Sequence, residues 1–201
     1  MCSSTDYDAT TNSISEFKGT TDNGCLKWNV VNVDTENYWI QLDHNSSEEI
    51  TWESVATEIA NIKNNNKYGW HANVRSTVRM ISAAEVHAIA PRLDSTPWNV
   101  NDASTNYTFH TGTDVEQFYL WKAGANKYAW LFDNLSYCVN YGCNVQQNEN
   151  TTLQGYWTSD KVGANKAWYV NYDGRFEVIG TNYLMFGLRP VIAVPKSKFA
   201  N

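Results

Sequence analysis

Charge is scarce in this chain: 18% of its 201 residues are Asp, Glu, Lys or Arg, and the formal balance is −6. No cluster of Lys and Arg supplies the basic patch that displaces counterions from phosphate, which excludes nucleic acid as a partner. No basic amphipathic stretch points to a membrane surface. No apolar run approaches the roughly 20 residues that span a bilayer, so no direct membrane insertion is expected. The start, Met1-Cys2-Ser3-Ser4, has no apolar signal core. That predicts either a cytosolic chain or one whose export segment has been removed. Catalytic spacings are missing too. His44, His71, His87 and His110 are scattered, with neither His-x3-His nor His-Glu-x2-His among them. His87 falls on a predicted helix beside Val86 and reads as a satisfied structural histidine. Neither a metal nor a cofactor is expected. Asp43-His44-Asn45 is the most reactive-looking trio, but Ser46 and Ser47 lack the glycine elbow of an activated nucleophile. A turn in which Asp43 and Asn45 cap the following backbone explains it better.

Cysteine is also sparse, at four residues, yet the number is even. Cys138-Val139-Asn140-Tyr141-Gly142-Cys143 is a short loop whose glycine lets its ends meet, so a local disulfide is sterically reasonable. Cys2 and Cys25 are then the remaining pair, tying an N-terminal arm to the first strand. Zinc is disfavoured because the Cys-x2-Cys spacing is missing. A lipid-modified Cys2, leaving Cys25 odd, is the other alternative.

Aromatic residues, by contrast, are abundant: nine Trp and twelve Tyr. Such rings suit a β-rich body with aromatic surface loops, since each offers large contact area at little entropic cost. Residues 1–24 are rich in Ser, Thr, Asp and Asn and read as a polar arm. From residue 25 to 201 the chain reads as one domain. Leu26, Trp28 and Val30 alternate with Lys27, Asn29 and Val31. Tyr38, Ile40 and Leu42 return after the turn Asp34-Thr35-Glu36-Asn37, which makes a hairpin. Val55, Ile59 and Ile62 form a helical stripe beginning near Trp52. Ser82-Ala83-Ala84-Glu85 is a capping box, opening a helix that Pro91 stops. Further on, Trp168, Val170 and Tyr172 alternate with Tyr169 and Asn171 as in a half-buried strand. Asp173-Gly174 signals a hairpin, and Phe176 and Val178 resume the apolar side. Lys122–Trp130 and Lys161–Trp168 echo one another and read as two similar strand entries in one sheet.

The order Gly155-Tyr156-Trp157-Thr158-Ser159, Ala167-Trp168-Tyr169-Val170-Asn171-Tyr172-Asp173-Gly174 and Gly187-Leu188-Arg189-Pro190-Val191-Ile192 resembles the C-terminal half of bacterial C-type-lectin-like domains. Such domains occur on surface proteins, phage tail tips and retroelement variable proteins. Upstream, Cys25-Leu26-Lys27-Trp28, Leu42-Asp43-His44-Asn45, Thr51-Trp52 and Arg79-Met80-Ile81-Ser82-Ala83-Ala84-Glu85-Val86 are similar to surface proteins of Firmicutes-type bacteria, some with a pilin-like helix. The resemblance implies an α+β fold with two helices, near residues 52–64 and 82–90, packed on short antiparallel strands. It implies that the first and last strands pair. It also implies that Trp157, Trp168, Phe176 and Leu188 share one core, and that Arg189 makes a buried or edge ion pair.

The calcium-dependent lectins of that family carry Glu-Pro-Asn or Gln-Pro-Asp with Trp-Asn-Asp. Here only Trp98-Asn99-Val100-Asn101-Asp102 comes near, interrupted by Val100. The formylglycine-generating oxidases of the same fold need an active cysteine pair or a three-histidine iron site, which these residues do not match. The resemblance therefore implies a non-enzymatic surface or adhesion module, exported to the extracellular side, that binds a host or environmental protein or a glycan without calcium. A tip or minor subunit of a pilus or tail fibre is the alternative. Carried onto this chain, the ligand surface is the solvent face of the final strands and their turns: Tyr169, Asn171, Arg175, Glu177, Asn182, Tyr183 and Phe186. Gly180-Thr181-Asn182-Tyr183-Leu184-Met185-Phe186-Gly187 supports this independently, with apolar residues where a surface loop would be polar. Alternatively, Leu184 and Phe186 fold under and plug the sheet.

Overall fold

A computed structural model describes residues 7–8, 13–14, 28–42, 45–47, 49–65, 72–92, 94–109, 128–132, 155–171 and 174–198. The fold is mixed α+β, with antiparallel sheets and few helices. A two-residue ribbon pairs β1 (Tyr7–Asp8) with β2 (Ser13–Ile14). The predicted hairpin is β3 (Trp28–Val33) and β4 (Asn37–Leu42). Asp34 closes its turn, accepting the backbone N–H groups of Glu36 and Asn37 at 2.8 and 2.6 Å and the Trp39 indole N–H at 2.7 Å.

The helices begin near Trp52, where the apolar stripe starts, and at the Ser82 capping box. Thr51 opens a 3-10 turn, Trp52–Ser54, that runs into α1 (Val55–Asn65). Val55 and Ile62 are buried and Ile59 packs beside them, the three positions of the stripe. A single turn, α2 (Ala72–Arg75), precedes α3 (Ala83–Ile89). The capping box is present in both directions: the Ser82 hydroxyl accepts the Glu85 N–H, and the Glu85 carboxylate accepts the Ser82 N–H. Pro91 follows the cap residue Ala90, as expected for a helix stop.

After β5 (Tyr107–Thr108) and the short α4 (Ala129–Phe132), the remaining strands are β6 (Gly155–Val162), β7 (Lys166–Asn171), β8 (Arg175–Gly180) and β9 (Val191–Pro195). One sheet runs β3-β4-β9 and the other β5-β8-β7-β6. Gly174, at φ 82°, turns the chain between β7 and β8, where a side chain would be strained.

Four expectations need correction. The last strand pairs with β4 and not with the first strand of the hairpin, because β4 is central and leaves β3 at the edge. In β3 the buried valine is Val31, while Val30 is 53% exposed. A β-bulge between Val30 and Asn32 inserts one residue and swaps the faces beyond it. Trp157, Trp168, Phe176 and Leu188 are all fully buried, but in two cores. Trp168 and Phe176 lie with Val86, Tyr107, Leu131 and Tyr156; Trp157 and Leu188 lie with Val55, Ile62, Tyr169 and Phe186. The β6–β8 sheet is covered on both faces, so its two residue parities feed separate cores. The internal echo is not structural either: Trp168 sits in β7, whereas Trp130 sits in α4.

Candidate functional site

Tyr169 and Glu177 stand opposite each other across β7 and β8. The Tyr169 hydroxyl donates to Glu177 Oε2 at 2.6 Å, and Arg175 Nη1 donates to Oε1 of the same carboxylate at 3.2 Å. Beneath the hydroxyl, the Tyr169 ring packs on Phe186 at 4.2 Å between centroids. This face was expected to be open to solvent. Instead Tyr169, Asn171 and Phe186 are buried, at 5%, 3% and 1% exposure. The second core occupies that side of the sheet, and a tyrosine can give its ring to a core while its hydroxyl finds a carboxylate at the margin. Arg175 and Glu177 are partly buried; Asn182 and Tyr183 are exposed.

The structure thus divides the seven residues. Its open part is the turn after β8. Gly180 begins it, and the Tyr183 N–H returns to the Gly180 carbonyl at 3.2 Å. A Cβ at Gly180 would stand 3.0 Å from Asn182 Oδ1 and 3.4 Å from the Tyr183 ring, so this glycine lets the turn lie close on itself. Both ends are anchored. The Thr181 N–H donates to the Asn165 carbonyl at 2.9 Å, and the Thr181 carbonyl accepts the Trp52 N–H at 3.0 Å. The Phe186 carbonyl accepts the Ile50 N–H at 2.8 Å, while the Phe186 ring meets Trp157 at 4.8 Å. Between the anchors Tyr183 and Leu184 stand 47% and 58% exposed.

Residues that the sequence did not mark as binding candidates complete the surroundings. Lys161 Nζ lies 4.8 Å from the Trp52 ring centroid and 3.9 Å from the Glu53 carboxylate. A hydrogen bond from the Thr181 side chain, aided by Lys161, holds the Glu53 carboxyl below its ordinary range. Tryptophan next to a capping threonine was the available signal, but nothing in the sequence ties residue 52 to residue 181.

The remaining polar residues serve the fold. Asn45, 1% exposed, donates from Nδ2 to the Gly155 carbonyl at 2.9 Å. It binds a strand far along the chain, where a local cap was expected. Asp43 and His44 lie outside the described residues, as do Cys2, Cys25, Cys138 and Cys143 with both of their expected disulfides. His87 stacks on Trp98 at 4.5 Å, and its Nδ1 lies 3.1 Å from the Tyr107 hydroxyl. That hydroxyl donates to the Ala90 carbonyl at 2.8 Å, which assigns the Nδ1 proton to His87. Burial lowers the basicity of the imidazole. Arg189 is fully buried, and Nη1 donates to the Trp130 and Leu131 carbonyls at 3.1 Å each. Its guanidinium lies over the Tyr156 ring at 4.4 Å. Among the described residues its contacts include main-chain carbonyls and an aromatic face.

Among the described residues no group of three or more His, Cys, Asp or Glu side chains could hold a metal ion. No described helix is long and apolar enough to cross a membrane. No family model matches this chain, and no curated protein is significantly similar to it.

Proposed function

We propose that this chain is a binding module of C-type-lectin-like architecture that docks a protein partner through the turn Asn182-Tyr183-Leu184. One observation carries the reading: two large apolar side chains are held out in solvent by a turn anchored at both ends. Exposing them is unfavourable by itself, and a rigid presentation lowers the entropy lost when a partner covers them. Tyrosine is among the residues enriched in protein-binding hot spots, and Leu184 beside it adds exposed apolar area. Leu184 offers nothing to a sugar hydroxyl, so a protein surface suits the turn better than a glycan. The lectin-like assignment draws support from the order hairpin, helices, then antiparallel strands, with the last strand closing on the hairpin. An exported bacterial surface or adhesion role follows from that assignment.

A random peptide library displayed on phage, panned on the protein and counter-panned on Tyr183→Ser/Leu184→Ser, tests the site. Selected peptides should lose binding to the double variant while both proteins melt alike. Peptides that bind both proteins equally would place the partner surface elsewhere.

A further inference from the structure

Two exposed turns adjoin. The tip of the β6–β7 hairpin, residues 163–166, is exposed, and so are Asn182, Tyr183 and Leu184 in the turn after β8. The main chain joins them: the Thr181 N–H donates to the Asn165 carbonyl at 2.9 Å, and Lys166 stands opposite Gly180 in the β7–β8 register.

Register then fixes what the two turns present together. Residues directly opposite in an antiparallel pair share one face, with Cβ atoms about 5 Å apart. A Cβ at Gly180 would lie 3.4 Å from Cδ2 of the Tyr183 ring. The ring therefore occupies the place of a side chain at position 180, on the face that Lys166 shares. Val162 stands opposite Lys166 on the next strand, partly buried against the first core. A cation is thus set between an aliphatic residue and an exposed aromatic one. The other lysine of the hairpin, Lys161, stands opposite Ala167 and belongs to the other face. There its Nζ lies 4.8 Å from the Trp52 ring centroid and 3.9 Å from the Glu53 carboxylate. Lys161 is matched by that carboxylate, and Lys166 is the charge beside Tyr183.

We propose that the segment docked on the turn after β8 is acidic: its Asp or Glu carboxylate pairs with Lys166 while an adjacent apolar side chain covers Tyr183 and Leu184. This partner chemistry rests on the reading of that turn as the docking site. A charge pair at the rim of an apolar contact fixes register and speeds encounter. The aliphatic stem of Lys166 extends the apolar cover while its ammonium group stays in water. The balance of −6 opposes an acidic partner only weakly at physiological salt. A Debye length of about 8 Å screens remote carboxylates and leaves the near lysine to act.

The probe is the set of phage-displayed random peptides that bind wild type and are lost on Tyr183→Ser/Leu184→Ser. Their sequences should be enriched in Asp and Glu beside an apolar residue. Lys166→Glu should weaken their binding by more than about tenfold, chiefly through slower association. Lys166→Gln, the second probe should Lys166→Glu fail to fold, should weaken binding less and flatten its dependence on salt. Lys198→Gln removes the same charge beyond β9, in the other sheet, and should bind within about twofold of wild type. Turn-dependent peptides that are rich in Lys and Arg, or that bind the Lys166 variants as they bind wild type, would overturn the acidic partner and leave the docking turn standing. Peptides that all bind Tyr183→Ser/Leu184→Ser as well as wild type would overturn both.

Discussion

Two charged residues carry much of the fold's polar specificity. Glu85 accepts both Arg79 guanidinium nitrogens, at 2.7 and 2.8 Å, and the Ser82 N–H at 2.9 Å. Burial alone would raise its pKa, but these bonds outweigh it and hold the carboxyl at about 2, against 4.5 ordinarily. A depressed carboxylate stabilises fully above the unfolded value and loses that contribution as pH falls toward the folded one. Between pH 4.5 and about 2 the fold should therefore lose about 2–3 kcal/mol from this group. Glu85→Gln should lower stability at neutral pH by a similar amount and flatten the acid limb of stability against pH, measured by urea unfolding. An unchanged acid limb would remove Glu85 from the explanation. Arg189 makes a different demand. Its Nη1 bonds two carbonyls while its flat guanidinium face covers Tyr156, and an ammonium group has no such face. Arg189→Lys should cost about 2–4 kcal/mol, since a buried cation is left poorly bonded. A melting temperature equal to wild type would contradict this.

At the scale of elements, legibility followed local chemistry. The capping box of α3, the stripe of α1 and the glycine between β7 and β8 act within a few residues; the structure holds the first two, and Gly174 has the positive φ of a turn. What escaped was set by distant neighbours. Val31 and Val30 exchange faces because of a bulge that no residue in β3 announces. Tyr169 and Asn171 look like the wet side of a half-buried strand, yet β7 is buried on both faces. An alternation of apolar with amphipathic residues fits either situation, and only the elements packed on each side decide. Gly155 shows how close that packing is. At φ 146° it adopts a backbone conformation that side chains rarely tolerate, and a Cβ there would lie 1.9 Å from the Val170 carbonyl oxygen in β7. Gly155→Ala should push β6 off β7 and cost more than about 2 kcal/mol, since both strain and collision oppose it. Calorimetry that found the variant as stable as wild type would show that the strand shifts freely.

Across the whole molecule, the two cores decide which aromatic residues remain for recognition. The resemblance implied seven binding candidates on one surface. The second core absorbs Tyr169, Asn171 and Phe186, and the open turn after β8 keeps Asn182 and Tyr183 and adds Leu184. Glycines bracket the stretch from 180 to 187, and its apolar content was legible. Its division between core and solvent was not, because Leu184 and Phe186 differ by only two positions and either could turn inward. Phe186 turns inward where its carbonyl takes the Ile50 N–H and its ring meets Trp157 and Tyr169. Stability and recognition should therefore separate within five residues. Phe186→Ser opens a cavity in a filled core and should cost about 3–5 kcal/mol. Tyr183→Ser/Leu184→Ser removes exposed surface and should change stability by less than about 1 kcal/mol. Thermal melts of the two variants, beside binding of a peptide selected on wild type, read both quantities. If the double variant melts as early as Phe186→Ser, the turn belongs to the core and presents nothing to a partner.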